Sequence, residues 1–405
     1  MTVAETISRF PDNVPADRVI DFDMFNPFTV EQDFHKAWVR LRMDTPHDLV
    51  WTPHNEGHWL ALSPKLIEQV FGDATRFSSR IVMVPKSTAG ETYSNFIPLS
   101  LPPSTHRPYR KLLNDKLYSA AINPQEPDVR ALCVELIDAF AADKRCDFVR
   151  QFAQQLPLRV FMQLVDLPVS DLPRLKQLAS QFTQPDGSLT PEEASDAFRE
   201  YLLPVLEARR GSGRNDLLTH IADGMIRGRP ITEDEAINLA SQAMVGGLDT
   251  VVNLMGFAMQ LLARHPEVQQ RIADNPSIIP SVVAELLRRL PVVSDAREVI
   301  ADTVVDGCTL KAGDMIVAPT AVHSLDPKTD PGLINFDIDR KGVQYLTFGT
   351  GYHTCPGQFL ARMEMKVLLE EWFKRIPSFR LAPDQEIRHI GGVVGGTQPY
   401  IIEWD

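Results

Sequence analysis

The chain has 405 residues, 44% of them hydrophobic and 23% charged, and this ordinary balance excludes a disordered or collagen-like protein. Its 41 Lys and Arg residues against 53 Asp and Glu residues give a net charge of −12, which argues against general nucleic-acid binding. No apolar run approaches the ~18 residues of a membrane span, and residues 1–19 lack the apolar core of a secretory signal. We therefore expect a cytoplasmic protein.

Helices dominate the predicted elements in the first half of the chain. A hairpin is predicted over 49–63, around the turn residues 55–57. A helix should then begin at Ser63-Pro64, a capping residue followed by Pro at the first position, and end at Gly72. Further helices are predicted from 103 past 109, and at 126–142, 149–165, 170–183, 191–210 and 215–227.

The longest predicted helix spans 231–264, where Thr232 and Glu235 form a capping box ahead of a long apolar stretch. Two helices near 266–274 and 277–290 follow it, then a small hairpin at 304–313, a long structured loop at 322–346, a helix at 357–375 and short strands from 379 to 405. Because no internal repeat or linker interrupts this order, we expect one large helix-rich domain, residues 1–405, with a few small sheets.

The cysteines do not form a disulfide pattern. Cys133, Cys146, Cys308 and Cys355 lack paired spacing, and the first three are interpreted as small core or surface residues. Cys355 lies in the run FGTGYHTCPG at 348–357, between an irregular loop and a helix. An isolated Cys in such a Gly-rich turn is normally structural. The alternative is a thiolate at the start of a helix, where free N–H groups and positive partial charge lower the pKa of the sulfur.

Two further motifs lie on predicted helices. Glu285 and Arg288 are three residues apart and share a helix face, although an isolated pair of this kind is usually a surface ion pair worth little. Gly246, Gly247, Asp249 and Thr250 lie in the middle of the longest helix, where each glycine costs roughly 1 kcal/mol relative to alanine. That cost indicates close helix packing or a local distortion.

Together these motifs resemble those of the cytochrome P-450 family. The matching patterns are F-x-x-G-x-H-x-C-x-G at 348–357, E-x-x-R beginning 70 residues before Cys355, and G-G-x-D-T at 246–250. The resemblance covers essentially the whole chain and is to the bacterial camphor-hydroxylating branch, carried also by 21–24, 96–98, 185–188, 228–232, 245–253 and 404–405. It implies a mainly α fold with small β-sheets, a triangular single domain that holds haem b between the long central helix and the Cys-loop helix.

The resemblance assigns roles to the motif residues. Cys355 would be the axial thiolate ligand of the haem iron, which favours O–O cleavage, and Glu285 with Arg288 would brace the loop that carries it. Thr250 and Asp249 would be catalytic and deliver protons during dioxygen activation. The other implied haem contacts are Phe348, Gly351 and Gly357, and, for the propionates, His106, Arg110, Arg297 and His353, since the planar fork of arginine suits carboxylates.

The implied substrate pocket departs from that of the camphor branch. Its lining would comprise Met83, Tyr93, Phe96, Gln242, Val245, Val293, Val393 and Val394. The Tyr hydroxyl that anchors a ketone in that branch falls at Tyr93 or Ser94, because the segment before Phe96 carries one extra residue. Met83 replaces an aromatic wall residue and Gln242 replaces a leucine. Near Asp249, Ser180 and Gln184 replace an acid and an arginine, and Lys176 is kept.

These residues predict a haem-thiolate monooxygenase that hydroxylates a small, apolar, cyclic terpenoid or norisoprenoid ketone with O2. An ionone-like ketone is favoured, and camphor hydroxylation is the alternative. The resemblance implies a monomer supplied with electrons by a 2Fe–2S ferredoxin and a flavin-dependent NADH reductase, with Arg107 and Arg110 meeting the acidic ferredoxin. A peroxide-using or isomerising haem-thiolate enzyme usually lacks the acid–alcohol pair that Asp249 and Thr250 form, and a haem sensor needs no proton relay.

Overall fold

The computed structural model describes residues 10–29, 31–88, 96–342 and 344–405, and helices hold more of them than strands do. A π-helical turn spans Val149–Ala153. The α-helices are α1 (Phe34–Asp44), α2 (Pro64–Gly72), α3 (Pro103–Leu117), α4 (Ser119–Ile122), α5 (Glu126–Ala141), α6 (Leu156–Val165), α7 (Leu172–Thr183), α8 (Pro191–Arg209), α9 (Leu217–Ala222), α10 (Glu233–Leu248), α11 (Thr250–Leu262), α12 (Pro266–Asp274), α13 (Ile279–Arg289), α14 (Thr320–Leu325) and α15 (Gln358–Arg375).

The strands form one five-stranded sheet and several smaller ones. They are β1 (Leu49–Thr52), β2 (His58–Ala61), β3 (Phe77–Ser78), β4 (Arg145–Asp147), β5 (Met225–Ile226), β6 (Arg229–Pro230), β7 (Ser294–Val299), β8 (Thr303–Val305), β9 (Cys308–Leu310), β10 (Met315–Pro319), β11 (Arg380–Leu381), β12 (His389–Ile390), β13 (Gly396–Thr397) and β14 (Ile401–Glu403). The five-stranded sheet has the order β1-β2-β10-β7-β3, with β2 and β10 parallel and the other neighbours antiparallel. On β7, Arg297 pairs with Ile316 of β10, which fixes the position of this predicted propionate ligand.

Several helix starts follow directly from local chemistry. Ser63 caps α2 by accepting from the Leu66 backbone N–H, and Pro64 is the first helical residue, as predicted. Thr232 and Glu235 form the predicted capping box at the start of α10. The predicted hairpin at 49–63 is also confirmed, as β1 and β2 with residues 55–57 in positive-φ conformations.

The long central helix is a pair of helices with a break between them. The continuous helix predicted over 231–264 is interrupted at Asp249, whose φ and ψ of −124° and −33° separate α10 from α11. The run Glu233–Leu262 is long and apolar enough to cross a membrane, which corrects the expectation that no stretch approaches that length. However, 67% of its most apolar window is buried inside the fold, as in the core helix of a soluble protein.

Two other predicted helices are shorter than expected. The helix predicted at 149–165 is the π-helical turn followed by α6, because Pro157 is accommodated only in the first turn of a new helix. The helix predicted at 215–227 ends at Ala222, since Arg227 and Gly228, with φ of +50° and +85°, turn the chain into the β5–β6 hairpin. The loop predicted at 322–346 begins inside α14.

The helix that follows the Cys loop is fixed by an aromatic cluster. Trp372 of α15 is fully buried, with its ring centroid 5.9 Å from Phe140 and 5.5 Å from Phe148. Phe152 and Trp404 lie 6.0 Å away, both near perpendicular to it. Edge-to-face contacts of this kind add to the hydrophobic stabilisation from burying the rings, so α15 is held firmly where its first turn meets the Cys loop.

Candidate active site

The predicted motifs meet at one cavity of about 300 Å³. Gly246, Gly247 and Thr250, at the α10–α11 junction, line part of it, and Cys355 and Gly357, just before α15, line another part. The rest of the lining is mainly apolar, with valine, leucine and phenylalanine side chains from eight helices and from loops. This convergence of conformationally costly glycines, a cysteine and an apolar wall marks the cavity as the candidate active site.

The loop before α15 presents the sulfur of Cys355 to this cavity. The backbone N–H of Cys355 donates to the Phe348 carbonyl at 2.8 Å, and Gly349 and Gly351 adopt φ of +66° and +67°, which favour glycine. The Arg362 guanidinium lies 4.9 Å from the centre of the Phe348 ring, which also lines the cavity. The other three cysteines are buried, as expected for core residues.

The expected lowering of the Cys355 pKa is not the net result. The backbone N–H groups of Gly357 and Gln358, at the start of α15, favour the thiolate, as does Arg110. Nevertheless, burial raises the pKa of the Cys355 thiol, because desolvation of the anion outweighs those contributions. The helix start therefore supplies donors to the sulfur but does not by itself make it a thiolate.

The space around the sulfur fits the haem that the sequence implies. Beyond its chain neighbours, no described residue lies within 4 Å of the position that a Cβ on Gly351 would take. A Cβ on Gly246 would meet only Gln242 Nε2, at 3.8 Å, apart from its own helix backbone, and one on Gly357 would lie 3.8 Å from Cys355 Sγ. These glycines leave room for a large planar group beside the sulfur.

Two histidines lie together at the cavity. The His106 ring is 4.8 Å from the His353 ring and perpendicular to it, and both residues line the cavity. His353 Nε2 lies 3.1 Å from Ser79 Oγ, whereas His106 Nε2 is buried with no partner among the described residues. Burial lowers the pKa of His106 to about 4 and that of His353 to about 2, helped by nearby arginines, so both rings are neutral at pH 7.

Arg110 lies one helical turn after His106 and holds the Cys loop. Its guanidinium donates to the backbone carbonyls of Tyr352, at 3.5 Å, and Thr354, and its Nε donates to Asn114 Oδ1 at 2.7 Å. Burial lowers the pKa of Arg110, which the neighbouring Cys355 opposes. A half-buried cation at the cavity wall next to an unpartnered imidazole fits the binding of an anionic carboxylate.

Arg297 reaches the same region from β7. It is buried, its guanidinium lies 5.0 Å from the centre of the Phe71 ring, and it donates to the Ala296 carbonyl at 2.7 Å. Asp295, two residues earlier on the same face of the strand, lines the cavity, and burial raises its pKa, opposed by Arg297. Sequence reasoning missed Asp295, although the period of two in a strand could have placed it beside Arg297.

Glu285 and Arg288 form a buried pair rather than the surface pair that an isolated motif suggests. Arg288 Nε and Nη2 each donate to one carboxylate oxygen of Glu285 at 2.7 Å, and both side chains are at most 5% exposed. Arg288 also donates to the carbonyls of Ser324, Leu333 and Asn335 at 2.7–3.1 Å. The pair therefore ties α13 to α14 and to the segment that leads toward the Cys loop.

The glycines at the α10–α11 junction have different roles. A Cβ on Gly247 would lie 2.4 Å from Phe161 of α6, so close packing between helices excludes a side chain there. Gly246 faces the cavity, and its carbonyl accepts a hydrogen bond from Thr250 Oγ at 3.1 Å. Both explanations offered by the sequence, close packing and a local distortion, therefore apply, one to each glycine.

Asp249, at the helix break, is buried and has one polar contact to α7. Thr183 Oγ1 donates to Asp249 Oδ2 at 3.4 Å. Burial raises the pKa of Asp249, opposed by the charge of Lys176 and by the Thr183 hydroxyl. The two residues that occupy the branch's acid and arginine positions are engaged elsewhere, because Ser180 donates to Gln177 and Gln184 donates to the Val394 carbonyl at 2.6 Å. Sequence reasoning had not singled out Thr183.

The predicted substrate-pocket residues within the described ranges all line the cavity: Met83, Phe96, Gln242, Val245, Val293, Val393 and Val394. Phe96 packs edge-on against Phe182 of α7, with 5.2 Å between ring centres. Val293 and Val394 form an isolated antiparallel bridge, which holds the C-terminal loop against the start of β7. Tyr93 and Ser94, the two candidates for a ketone anchor, lie outside the described residues.

A buried carboxyl group was missed by the sequence analysis. Glu364 of α15 lines the cavity and is 1% exposed, and neither of its oxygens has a hydrogen-bond partner among the described residues. Burial raises its pKa to about 8. The signal in the sequence is its spacing, since it lies three or four residues from Leu360, Ala361 and Leu368, on an apolar face where an acid is unusual.

Comparison with known proteins places the chain in a family. A model of the family described as cytochrome P-450 matches residues 159–390, which is more than half of the chain. The chain belongs to the cytochrome P-450 family. A relative named "Probable cytochrome P-450 127A1", from Sinorhizobium fredii, is 30% identical over 97% of this chain and 96% of its own length.

Two other similar proteins narrow the assignment. Linalool 8-monooxygenase of Pseudomonas putida is 27% identical over 89% of this chain and 93% of that protein. The crystal structure of CYP101J2 matches with a TM-score of 0.91 and 48% identity, over 98% of this chain and 100% of that one. The expected P-450 fold and the expected likeness to the camphor-type bacterial branch are confirmed.

The family assignment establishes the reaction class. The chain is an oxidoreductase, a haem-thiolate monooxygenase that uses haem b with an axial cysteine thiolate. When bound, the haem supplies dioxygen activation, and thiolate ligation favours O–O cleavage. The protein supplies a mainly apolar cavity, the half-buried Arg110 and buried Arg297 guanidinium groups, and a hydroxyl and a carboxyl group at the helix break.

Proposed function

We propose that this single-domain, cytoplasmic enzyme hydroxylates a small cyclic terpenoid or norisoprenoid ketone, with an ionone-like ketone favoured over camphor. One observation carries the proposal: the mainly apolar wall of the cavity continues to Thr250 and Cys355. An apolar wall of this kind orients a hydrocarbon skeleton through shape, with few polar contacts. That one relative is a linalool monooxygenase supports a terpenoid-sized substrate.

In this proposal Cys355 ligates the iron, and Phe348, Gly351 and Gly357 shape the space around the haem. His106, Arg110, Arg297 and His353 hold the haem propionates, for which the unpartnered Nε2 of His106 and the buried guanidinium of Arg297 are suited. Glu285 and Arg288 keep the Cys loop in position.

Thr250 and Asp249 are assigned to proton delivery. Thr250 Oγ holds its proton toward the Gly246 carbonyl at the cavity wall, and Asp249 connects that site to α7. Burial raises the pKa of the Asp249 carboxyl group, so it holds a proton more readily than an exposed aspartate, which suits a relay.

Electrons would come from a 2Fe–2S ferredoxin reduced by a flavin-dependent NADH reductase. Arg107 is exposed on α3, one turn from the residues that contact the Cys loop, so an acidic ferredoxin could bind on this side. Complementary charge at such a surface mainly raises the association rate, and Arg107→Glu should therefore slow reduction without changing substrate binding.

Two spectral experiments test the proposal. Cys355→Ala should abolish the strongly red-shifted Soret band of the reduced carbon monoxide complex, and retention of that band would make the ligand assignment wrong.

Titration of the ferric enzyme with β-ionone and with camphor should show tighter binding of β-ionone. Loss of the hydrogen bond that the Tyr anchor makes in the camphor branch would weaken the binding of camphor by ~1 kcal/mol. Each additional CH₂ that the larger β-ionone buries would strengthen its binding by ~0.8 kcal/mol. Tighter binding of camphor would favour the camphor-hydroxylase alternative.

A further inference from the structure

Gln242 is a polar side chain of the cavity wall that the proposed proton relay and haem contacts do not use. Gln242 lies on α10, one helical turn before Gly246, among the valine and phenylalanine side chains of the substrate wall. Its Oε1 is buried with no hydrogen-bond partner among the described residues. A buried amide without partners is destabilising by comparison with a leucine of similar size.

The other end of the amide faces the cavity. Gln242 Nε2 lies 3.8 Å from the position that a Cβ on Gly246 would take, and Gly246 faces the cavity. The Gly246 carbonyl is already the acceptor for Thr250 Oγ at 3.1 Å. An N–H donor thus lies beside Gly246, which is about one helical turn before Thr250, the residue assigned to proton delivery.

Two hydroxyl groups of the cavity wall, those of Thr320 and Thr183, already have partners. Thr320 Oγ1 donates to the Val293 carbonyl at 2.5 Å, and Thr183 Oγ1 donates to Asp249. Gln242 therefore differs from them in having its hydrogen-bonding groups available to a molecule that enters the cavity.

We propose that Gln242 Nε2 donates a hydrogen bond to the carbonyl oxygen of the substrate and so selects ketones over hydrocarbons of the same shape. This inference rests on the proposed function, from which it takes the substrate class. It locates the polar anchor on α10, beside Gly246, and makes Gln242 a specificity-determining residue. A site with a buried donor discriminates against an analogue that cannot accept, since the donor is then left unpaired.

The test uses camphor and bornane, which share one rigid skeleton and differ in the carbonyl group. Dissociation constants are measured by spectral titration of the ferric holoenzyme and by isothermal titration calorimetry. In Gln242→Leu, the ratio of the bornane constant to the camphor constant should fall about tenfold relative to the unmodified enzyme. Gln242→Met keeps a similar length but has no hydrogen-bond donor, and it should lower the ratio similarly.

Thr320→Val is the matched control, because it removes a cavity hydroxyl that already has an internal partner, and it should leave the ratio unchanged. The assignment of Gln242 as the anchor is wrong if the ratio is unchanged in both Gln242 variants, or if it falls equally in Thr320→Val. Either result leaves the proposed function intact. If neither ligand binds the unmodified enzyme, the proposed substrate class fails and the anchor fails with it.

Discussion

The Thr183 hydroxyl donates to Asp249 Oδ2 at 3.4 Å, across the gap between α7 and the break in the central helix. The arginine position of the camphor branch is Gln184 here, and its side chain is held by the Val394 carbonyl instead. Asp249 is thus held by a neutral hydroxyl, with the Lys176 charge as a further influence on its pKa. Movement of this carboxyl group toward solvent requires breaking one neutral hydrogen bond, not an ion pair.

Replacing the hydroxyl should move the pH dependence of turnover. Thr183→Val removes the hydrogen bond that favours the carboxylate, so the pKa of Asp249, already raised by burial, rises further. The acidic limb of the rate profile should shift to higher pH, as measured by NADH consumption between pH 5.5 and 8.5 with saturating redox partners. Ser180→Ala is the control, because that hydroxyl donates to Gln177. If the acidic limb of the rate profile lies at the same pH in Thr183→Val and in the unmodified enzyme, the hydrogen bond from Thr183 to Asp249 does not set the pH dependence.

Removing the Thr250 hydroxyl and removing the Asp249 carboxyl group should change turnover in different ways. Thr250→Ala leaves the cavity wall almost unchanged but removes the proton donor beside Gly246, so NADH oxidation should continue with hydrogen peroxide released in place of hydroxylated product. Asp249→Asn should slow NADH oxidation itself, because proton supply is interrupted further from the cavity. Measuring the yield of hydrogen peroxide together with the rate of NADH oxidation distinguishes the Thr250→Ala and Asp249→Asn variants. Equal coupling in Thr250→Ala and the unmodified enzyme would remove the hydroxyl from the mechanism.

The buried Glu285–Arg288 pair should be far more sensitive than an exposed one. Glu285→Ala leaves the Arg288 guanidinium buried beside three carbonyl groups but without its carboxylate, a change that costs roughly 3–5 kcal/mol. We expect a large fall in the denaturation midpoint together with loss of haem. Glu386→Ala, which breaks the exposed Arg388 pair, should change stability by less than about 1 kcal/mol. Similar effects of the two substitutions would show that burial does not matter here.

Short-range signals in the sequence predicted much of the helical framework and much of the site. Ser63-Pro64 and the Thr232–Glu235 box specify helix starts through contacts within one turn, and the structure has them. Of the five-stranded sheet only the β1–β2 hairpin was predicted, since β10 is buried along its whole length and lacks the alternation that identifies a strand. The contact from Thr183 to Asp249 joins residues 66 apart, and only the packing of α7 on α10 creates it.

The last prediction concerns Glu364, whose carboxyl group is fully buried on α15 with a pKa of about 8 against an ordinary 4.5. A raised pKa in the folded state means that the folded protein holds the proton more tightly than the unfolded chain does. The resulting contribution to stability is fully present below pH 4.5 and is lost as the pH rises through about 8. Glu364→Gln cannot ionise, so the variant should gain stability relative to the unmodified enzyme across that window.

The gain should reach a few kcal/mol at pH 8 and be small at pH 5, because each unit of pKa difference corresponds to roughly 1.4 kcal/mol. Thermal unfolding of both proteins at pH 5, 6.5 and 8 measures it as a difference in Tm that widens with pH. Glu207→Gln, at an exposed position on α8, is the control and should give a difference that does not vary with pH. A constant difference for Glu364→Gln as well would mean that the carboxyl group has a partner, such as a bound water, that stabilises its charged form.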